Sequence, residues 1–406
     1  MNVNRRVFIT YSHATTNLLS NGNSIAKLLE SQFNGLKLFT KNNILFQLIT
    51  PFNNAKINEY KIIRLPYLFQ LGLQVSKVIL PYKLKKNIFG TSDFEYICHI
   101  FRTAYFLKYI VNSNDIIIIH GSYRFLLLLK YFFKNRKIIY YHHGGTLDRI
   151  PKNDLKVLLK SICYRLISVS KAAIIPIRNM HKNIDYIHNG LDQKYFQMHL
   201  KNYSKIKSQV RKRLKIDENA FCFIIGGSMR KEKGYALLID CLAKNNFERK
   251  IIVLVVGDIE NNKDDEFFEY LNIIINKNNL DVRFLGHLKQ NELYNIIVAG
   301  DIGFQLSSPK LSEGISIFIL EMMFLRLPVI VSDSGGNKEI VTDGHSGITL
   351  SNYNIEDLKK AIIKMISFDN MEQISLNAFD HVNKNFSSQT MTKKMIQYVK
   401  HIDNNA

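Results

Sequence analysis

The sequence predicts an α/β protein with two doubly wound, parallel-sheet domains that face each other across a cleft. Three observations lead to this class: a length of 406 residues, a hydrophobic fraction of 46%, and short apolar runs that alternate with helical patterns. A chain of this length is too long for one ordinary core and suits two domains. Alternating strand and helix patterns are typical of a parallel sheet covered by helices.

In the first half, apolar runs bounded by polar turns predict buried strands, and amphipathic stretches predict the helices between them. The segment 51–91 is less regular, and over 65–84 it mixes large apolar residues with lysines. That mixture fits either an interfacial element or ordinary helix packing. The predicted strands are 7–11, 116–119, 138–141 and 172–175, and the predicted helices are 25–33, 105–111, 125–133 and 155–167.

A second alternating series begins after residue 215, and the polar, basic stretch 192–215 before it is interpreted as a linker. We expect domains at 1–190 and 191–380, followed by a C-terminal helix within 381–406 that packs back on the first domain. Ligands of such sheets bind beyond the carboxyl ends of the strands, so the cleft is the expected site. The predicted strands are 221–226, 251–257, 282–285, 302–306 and 329–332, and the predicted helices are 234–244, 266–276 and 317–325.

The composition argues against a membrane-spanning or secreted protein. No stretch of 18 or more apolar residues occurs, and the basic lead at 1–6 lacks the apolar length of a signal peptide. The cysteines have neither metal-ligand spacing nor a disulfide framework, so we expect buried free thiols and a cytoplasmic location. These cysteines are Cys98, Cys163, Cys222 and Cys241.

The positive charge is concentrated in the first half of the chain. Residues 1–190 contain 27 Lys and Arg against 8 Asp and Glu, whereas residues 191–406 contain 28 against 26. Compositional drift is the alternative explanation, but drift would raise the charge of both halves. The asymmetry favours an anionic partner for the first domain, either a membrane surface with acidic lipids or a nucleic acid.

Two carboxylates flank the start of the predicted helix at 317–325. Glu313-Gly314-Ile315-Ser316 precedes it, and Glu321 lies about one and a half turns inside it. Gly314 permits close backbone approach and Ser316 is a suitable N-cap, while the free N–H groups of a helix start suit a diphosphate. A buried carboxylate needs hydrogen-bond donors, and the two vicinal hydroxyls of a ribose would supply them. Pairing of Glu321 with a structural arginine such as Arg326 is the alternative.

This spacing resembles the acidic signature of the family 4 retaining glycosyltransferases, which have two Rossmann-like domains in the GT-B fold. The resemblance is specific over about residues 168–350 and weaker before them. Eight motifs in the family's order carry it, and a single one would be weak support. Besides the acidic signature they include Ser168-Val169-Ser170-Lys171, Asn189-Gly190-Leu191-Asp192, Gly226-Gly227, Lys233-Gly234, Val256-Gly257-Asp258, Phe284-Leu285-Gly286 and Ser334-Gly335-Gly336.

The resemblance implies how the acidic signature binds a nucleotide-sugar donor. Glu313 would hydrogen-bond the hydroxyls of the donor sugar. The backbone N–H groups of Gly314, Ile315 and Ser316 would hold the phosphates. Glu321 would bind the ribose. The donor is a substrate, so the resemblance implies no separate cofactor.

The resemblance also implies cations for the diphosphate leaving group. Lys233 would neutralise the charge that grows as the glycosidic bond breaks, and stabilising such charge is usually the largest catalytic contribution. The family usually places an arginine five or six residues before this lysine, where this chain has Ser228 and Gly227. We assign the role of the family's arginine to Arg230, and we also assign Gly227 to donor binding. The alternative is that Arg230 is a solvated charge of the loop.

In the first half, histidine and glycine follow predicted strands, which places imidazoles at the expected cleft. Family members use a histidine there to contact the donor sugar, and we favour His143, with His142 close behind. His120 ends the preceding strand and is a candidate for the acceptor side. Asn21 and Gly22 stand where relatives have a glycine-rich loop near the phosphates, although the usual second glycine is missing.

A metal ion is not expected. No Asp-x-Asp follows a predicted strand, and the acidic run Asp264-Asp265-Glu266 lies in a polar turn at a helix start. Cationic side chains and a helix dipole can neutralise a diphosphate instead.

The sequence therefore predicts a retaining hexosyltransferase that uses front-face attack. It would move a hexose or N-acetylhexosamine from a UDP- or GDP-sugar to an oligosaccharide or lipid-linked glycan. The charge of the first domain suits peripheral attachment at the inner face of a cell membrane, as in bacterial capsule or lipopolysaccharide synthesis. Two alternatives are a nucleotide-sugar 2-epimerase of the same fold, which the motifs fit poorly, and a basic nucleic-acid-binding protein. The latter would need a reader module, and none is found.

Overall fold

The computed structural model describes residues 5–11, 24–37, 44–50, 62–64, 103–120, 126, 133, 136–144, 153, 156, 159–160, 163–257, 265–309, 314–367 and 371–402. The chain divides into two compact units. The first unit comprises Met1–His188 and Met391–Ala406, and the second comprises Asn189–Thr390. The boundaries expected at 190 and 380 thus fall at 188 and 390.

The described part of the first unit contains a seven-stranded sheet of order β3-β2-β1-β4-β5-β6-β7, in which all neighbours are parallel. Buried strands of a parallel sheet are continuous apolar runs, and every residue of β4 is buried. The strand order reverses between β1 and β4. The strands are β1 Arg5–Tyr11, β2 Ile44–Thr50, β3 Ile62–Arg64, β4 Ile116–His120, β5 Lys137–His142, β6 Arg165–Ser168 and β7 Ile184–Tyr186.

Helices cover both faces of this sheet. Helix α1, Ser24–Lys37, buries Leu28, Leu29 and Phe33 on one face. A helical segment at 103–110 packs on the opposite face. Of the helix predicted at 125–133 only two positions are described, and of the irregular segment 51–91 only β3.

Two predictions in the first unit are wrong. The apolar run predicted as a strand at 172–175 forms a 3₁₀ helix, Ala172–Ile177, because Pro176 lies in it and the Ser170 hydroxyl accepts a hydrogen bond from Ala173 N at 3.1 Å. The helix predicted at 155–167 ends earlier, since β6 occupies residues 165–168. The strand of this region therefore comes before the apolar run.

The second unit contains a six-stranded parallel sheet of order β10-β9-β8-β11-β12-β13 among its described residues. Its order reverses between β8 and β11. The strands are β8 Phe221–Gly226, β9 Ile251–Val256, β10 Asp281–Gly286, β11 Ile302–Gln305, β12 Val329–Val331 and β13 Gly347–Thr349. The helices are α2 Lys194–Lys201, α3 Tyr203–Arg213, α4 Tyr235–Lys244, α5 Asp265–Lys277, α6 Gln290–Ala299, α7 Ile317–Phe324, α8 Asn337–Ile340, α9 Ile355–Ile366 and α10 Met371–Asn385.

The prediction of a linker at 192–215 is wrong, because α2 and α3 occupy it. Their basic residues are not all solvated. Asp301, at the start of β11, accepts hydrogen bonds from Lys207 Nζ at 2.8 Å and from an Arg211 guanidinium nitrogen at 2.9 Å. Phe196 is fully buried on the same side. A polar, basic sequence therefore conceals two helices whose few buried groups fix them to the sheet.

The last helix, α11 Ser388–His401, returns the chain to the first unit. Met395, Val399 and Ile402 are fully buried in the core on the α1 side of the first sheet. The Thr392 hydroxyl donates to the Gln32 carbonyl of α1 at 3.1 Å. The C-terminal residues are therefore part of the first unit's core.

The predicted α/β class with two parallel sheets is confirmed. Among the described residues, no helix combines the length and apolarity needed to cross a bilayer. Cys163, Cys222 and Cys241 are buried free thiols, and Cys98 lies outside the described residues.

Candidate functional site

The carboxyl edge of the second sheet is lined by closely packed peptide groups. Gly227 N donates to Val256 O at 2.9 Å, and Gly257 N donates to Gly286 O at 2.9 Å, so the ends of three neighbouring strands are tied together. Gly257 has a φ of +145°, and a Cβ built on it would lie 1.9 Å from Gly227 O. Only glycine fits there, so peptide groups rather than side chains line this edge.

The loop that follows β8 is fastened to the end of β11, on the other side of the strand-order reversal. Ser308 N donates to Glu232 O at 2.7 Å. Gly234 has a φ of +80°, and a Cβ at this position would lie 2.0 Å from Leu306 O. The loop is therefore held at the point where ligands of doubly wound sheets bind.

This loop carries the two predicted cations. Arg230 is exposed, and its Nε donates to the Ser228 hydroxyl at 3.0 Å. Lys233 is partly buried at the end of the 3₁₀ turn Lys231–Lys233, and its N donates to Arg230 O at 3.0 Å. The structure thus places Arg230 and Lys233 in one turn beside the glycine-lined edge.

Helix α7 starts against the end of β8. A Cβ on Gly226 would lie 2.8 Å from the Phe318 ring in the first turn of α7. Ser316 is the N-cap residue, but its hydroxyl makes no capping hydrogen bond and instead donates to Gln305 Oε1 at 3.4 Å. The N-cap side chain therefore leaves the first-turn N–H groups without a cap from Ser316, and the dipole of α7 favours an anion there.

Of the acidic signature, Gly314 and Ile315 are buried just before this helix start. Glu313 lies outside the described residues, as do Asn21, Gly22 and Asp258.

Glu321 is buried inside α7, with 4% of its surface exposed. Tyr294 of α6 donates its hydroxyl to Glu321 Oε1 at 3.1 Å, and Gln290 Nε2 donates to the Tyr294 hydroxyl at 2.8 Å. Burial, and then the carboxylate of Glu321, raise the pKa of Tyr294, so its hydroxyl remains a donor. Arg326, the alternative partner, instead stacks over the Phe379 ring at 5.5 Å. Sequence reasoning missed Tyr294 and Gln290 because it did not predict α6.

Asn337 is a second residue that the sequence did not reveal. It begins α8 and is fully buried, yet its amide nitrogen and oxygen both lack a hydrogen-bond partner among the described residues. The preceding Gly336 N donates to Gly314 O at 3.2 Å, which brings α8 to the start of α7. Unsatisfied buried amides are costly, so this one is a candidate ligand contact.

In the first unit, histidines meet at the ends of β4 and β5. His120 pairs with Tyr141 across the parallel register, and their rings stack with centroids 4.5 Å apart. His143 Nε2 lies 3.0 Å from His120 Nδ1, a hydrogen bond in which one neutral ring donates to the other. The structure thus joins His143 to His120, which were predicted for different roles.

Burial keeps these imidazoles neutral at pH 7. Burial, and then the charge of His143, lower the pKa of His120 well below its usual value. The pKa of His143 is lowered to about 3 by burial and then by His142, and burial lowers that of His142 to about 4. His142 is 2% exposed and its Nδ1 lies 3.5 Å from the Ser168 hydroxyl, whereas His143 is partly exposed. His143 is therefore the better placed of the two to contact a ligand.

Sequence comparisons match most of the second unit to a known family of proteins. Residues 206–378, less than half of the chain, match the family Glycosyl transferases group 1. An uncharacterized glycosyltransferase of Methanocaldococcus jannaschii is 27% identical over 248 residues, which cover 59% of this chain and 58% of the relative. The UDP-Gal:alpha-D-GlcNAc-diphosphoundecaprenol alpha-1,3-galactosyltransferase of Escherichia coli is 26% identical over 207 residues, 50% of each protein. The chain thus spans only about half the length of the curated relatives it matches.

Solved structures extend the likeness over the whole chain. HepE of Anabaena, in complex with UDP and glucose, has a TM-score of 0.67 and 18% identity, with 97% of this chain and 99% of that chain covered. At this identity the likeness shows the fold alone. The chain therefore has the GT-B fold, and its residues 206–378 carry the sequence features of glycosyl transferases group 1.

Proposed function

We propose that the chain is a glycosyltransferase that moves a sugar from a nucleotide-sugar to a glycan acceptor with retention of anomeric configuration. The observation that carries this proposal is the uncapped start of α7 beside the glycine-lined edge, with two cations in the adjacent loop. All of these features lie within the segment that matches glycosyl transferases group 1.

The second unit supplies the groups for the nucleotide diphosphate. N–H groups from Gly314 to Ser316 and the first turn of α7 would bind the phosphates, together with Gly227. Lys233 and Arg230 would neutralise the charge that develops on the leaving diphosphate, which lowers the barrier most when the cations are already in place. Glu321 would accept hydrogen bonds from the ribose. We propose that these two cations and the dipole of α7 neutralise the diphosphate in place of a metal ion.

The sugar requires a different set of contacts. We assign Glu313 to the hydroxyls of the donor sugar and add Asn337, whose buried amide has no described partner. His143 is assigned to the donor sugar as a neutral imidazole, which can donate and accept one hydrogen bond each. Asn21 and Gly22 are assigned to the phosphates. We propose front-face attack, in which the acceptor hydroxyl attacks from the side on which the diphosphate leaves and no side chain forms a covalent intermediate.

The donor is proposed to be a UDP- or GDP-linked hexose or N-acetylhexosamine, and the acceptor a lipid-linked glycan of surface polysaccharide synthesis. The name of the Escherichia coli relative includes UDP-Gal and a diphosphoundecaprenol acceptor, and HepE was solved with UDP and glucose. Positions 1–190 contain 27 basic and 8 acidic residues, and this excess of positive charge suits an acidic lipid surface. We therefore propose peripheral attachment at the inner face of the cell membrane.

Transfer is tested with labelled UDP- and GDP-sugars, with and without a diphospholipid-linked acceptor. We expect a labelled glycolipid with the donor's anomeric configuration, and nucleotide release that depends on acceptor and withstands EDTA. The variant Glu321→Gln should lower the rate, whereas Glu356→Gln, at an exposed pair with Lys360, should not. Isomerised sugar without transfer would favour a 2-epimerase, and acceptor-independent release would contradict transfer.

Membrane attachment is tested by co-sedimentation with vesicles. We expect binding to phosphatidylglycerol vesicles at low salt, weaker binding at high salt, and none to phosphatidylcholine alone. Binding that is indifferent to both lipid charge and salt would contradict the proposed attachment.

A further inference from the structure

A second concave site lies at the amino ends of the strands of the second sheet, where β11 and β12 begin. It is a cavity of about 610 Å³ between the α2–α3 junction, the turn after α7 and the first turn of α10. Small-molecule sites have volumes of roughly 300–1,000 Å³. Because β11 separates this edge from the carboxyl edge by roughly 10–13 Å, the cavity is distinct from the proposed donor site.

The wall of the cavity carries excess positive charge. Asp301 is one of the two acidic groups among the described residues of the wall, and its charge is already matched by Lys207 at 2.8 Å and Arg211 at 2.9 Å. The remaining acid, Glu372, carries one negative charge, whereas the wall has three further cations, Lys201, Lys205 and Arg326. The charged lining residues are Lys201, Lys205, Lys207, Arg326, Asp301 and Glu372.

Arg326 occupies a backbone position that usually belongs to glycine. It follows α7 with a φ of +59°, and the hydrogen bonds Arg326 N to Met323 O and Leu327 N to Met322 O complete a Schellman motif. Glycine is the common residue at this point of the motif because it has no Cβ penalty. An arginine that is retained in a left-handed conformation suggests a use for its side chain.

The guanidinium of Arg326 is fixed at the wall of the cavity. Arg326 lines the cavity, and its guanidinium stacks over the Phe379 ring at 5.5 Å. Tyr203 lines the same cavity, and burial raises the pKa of its hydroxyl, which therefore remains protonated and able to donate.

We propose that this cavity binds a small phosphate-bearing molecule, with Arg326 as its anchor. A guanidinium matches the oxygens of a phosphate in a two-point contact, and lysines contribute as point charges. Lys201 and Lys205, which are not committed to Asp301, together with Arg326 suit a doubly charged phosphate better than a single carboxylate. The inference rests on the cavity alone and does not depend on the proposed transfer reaction.

The test compares phosphate binding by the full chain and by Arg326→Gly, with inorganic phosphate as the probe. Glycine suits the left-handed position, so this variant removes the guanidinium while it preserves the backbone. Arg249→Ala is the matched control, because Arg249 is exposed and also stacks over a phenylalanine, Phe221, at 4.8 Å.

Calorimetric titration and thermal unfolding with phosphate give the decisive readings. We expect phosphate to bind and stabilise the wild type and Arg249→Ala alike. Arg326→Gly should bind about tenfold to a hundredfold more weakly, the usual effect of losing a charge-assisted hydrogen bond. Equal affinities of wild type and Arg326→Gly, or no phosphate binding by the wild type, would overturn the proposal.

A lipid headgroup has the same phosphate chemistry, so a vesicle arm separates the two sources. Wild type and Arg326→Gly are compared on vesicles of phosphatidic acid in phosphatidylcholine. We expect equal vesicle binding by both. Vesicle binding that requires Arg326, without binding of inorganic phosphate, would overturn the small-molecule assignment in favour of a lipid headgroup.

Discussion

The carboxyl edges of the two sheets carry clusters that are built from different parts of the chain. In the first unit the cluster consists of side chains: the neutral rings of His120 and His143 lie against Tyr141, and the neutral ring of His142 lies beside Tyr140. In the second unit it consists mainly of peptide groups, which approach closely because Gly257 has no Cβ. The first cluster should therefore be sensitive to pH, and the second to added volume.

The largest expected effect is that of Gly257→Ala. A Cβ there would lie 1.9 Å from Gly227 O, at a backbone φ of +145° that alanine rarely adopts. Overpacking and backbone strain together should lower the free energy of unfolding by about 3 kcal/mol or more. Denaturant unfolding of the full chain measures this loss.

The control for this variant is Gly286→Ala. Gly286 has a φ of +69°, but a Cβ there would have no neighbour within 4 Å. Only the conformational cost remains, about 1 kcal/mol. Equal losses for the two variants would show that close backbone approach does not define the second cluster.

Acid should weaken the first cluster instead. Burial lowers the pKa of His142 to about 4, so between pH 6.5 and 4.5 the unfolded chain takes up a proton that the folded chain does not. Stability should fall over this window by about 2–3 kcal/mol from His142 alone. The measurement compares the pH dependence of unfolding in wild type and His142→Gln, and the variant should show a shallower fall. Parallel pH profiles would contradict a neutral buried imidazole.

Tyr294→Phe tests whether nucleotide binding by the second unit depends on a single side-chain contact, the hydrogen bond from Tyr294 to Glu321. Loss of the 3.1 Å hydrogen bond to Glu321 should weaken UDP or GDP binding about tenfold, or ~1–1.5 kcal/mol. The loss should vanish with a 2′,3′-dideoxy nucleotide, because the ribose then has no hydroxyl that could donate a hydrogen bond to the Glu321 carboxylate. Calorimetric titration of both nucleotides gives these affinities.

Tyr270→Phe is the matched control, since it removes a hydroxyl that donates to the exposed carboxylate of Asp240 at 2.9 Å. Its nucleotide affinities should equal those of the wild type. If Tyr294→Phe weakens both nucleotides equally, the hydroxyl does not position Glu321 for the ribose. If neither nucleotide binds to the wild type, the proposed function itself is contradicted.

The smallest effect is expected for Arg326→Gly. This variant places a glycine at a left-handed backbone position that a non-glycine residue occupies, which is the reverse of Gly257→Ala. Relief of the backbone strain is worth about 1 kcal/mol, and loss of the stack over Phe379 costs about 0.5–1 kcal/mol. The unfolding free energy should therefore change by less than about 1 kcal/mol in denaturant titrations. A loss comparable to that of Gly257→Ala would mean that Arg326 is needed for folding.

Five of the six described strands of the second unit were predictable within one residue at each end, because buried parallel strands are continuous apolar runs, as β8 is. The three-residue strand β13 was not predicted. The same criterion failed at 172–175, where an apolar run with Pro176 forms a 3₁₀ helix. It also failed at 192–215, where α2 and α3 expose basic residues and bury few apolar ones. Apolar runs identify buried chain, but local hydrogen bonding decides its conformation.

The candidate site was predictable where one short segment carries its signal. The Ser316 and Glu321 spacing falls at a helix start, His120 ends β4, and His143 follows β5. The contact between these histidines depends on strand register, which the sequence did not specify. Tyr294 reaches Glu321 only through the packing of α6 on α7, so no local pattern indicated it.

The return of α11 to the first unit has a consequence for synthesis on the ribosome. Met395, Val399 and Ile402 complete the core of the first unit, and they are translated after every residue of the second unit. The first unit must therefore keep an open apolar surface until the residues of α11 have been translated. The second unit, made later, has its whole sequence available earlier, so we expect folding in the reverse of the order of synthesis.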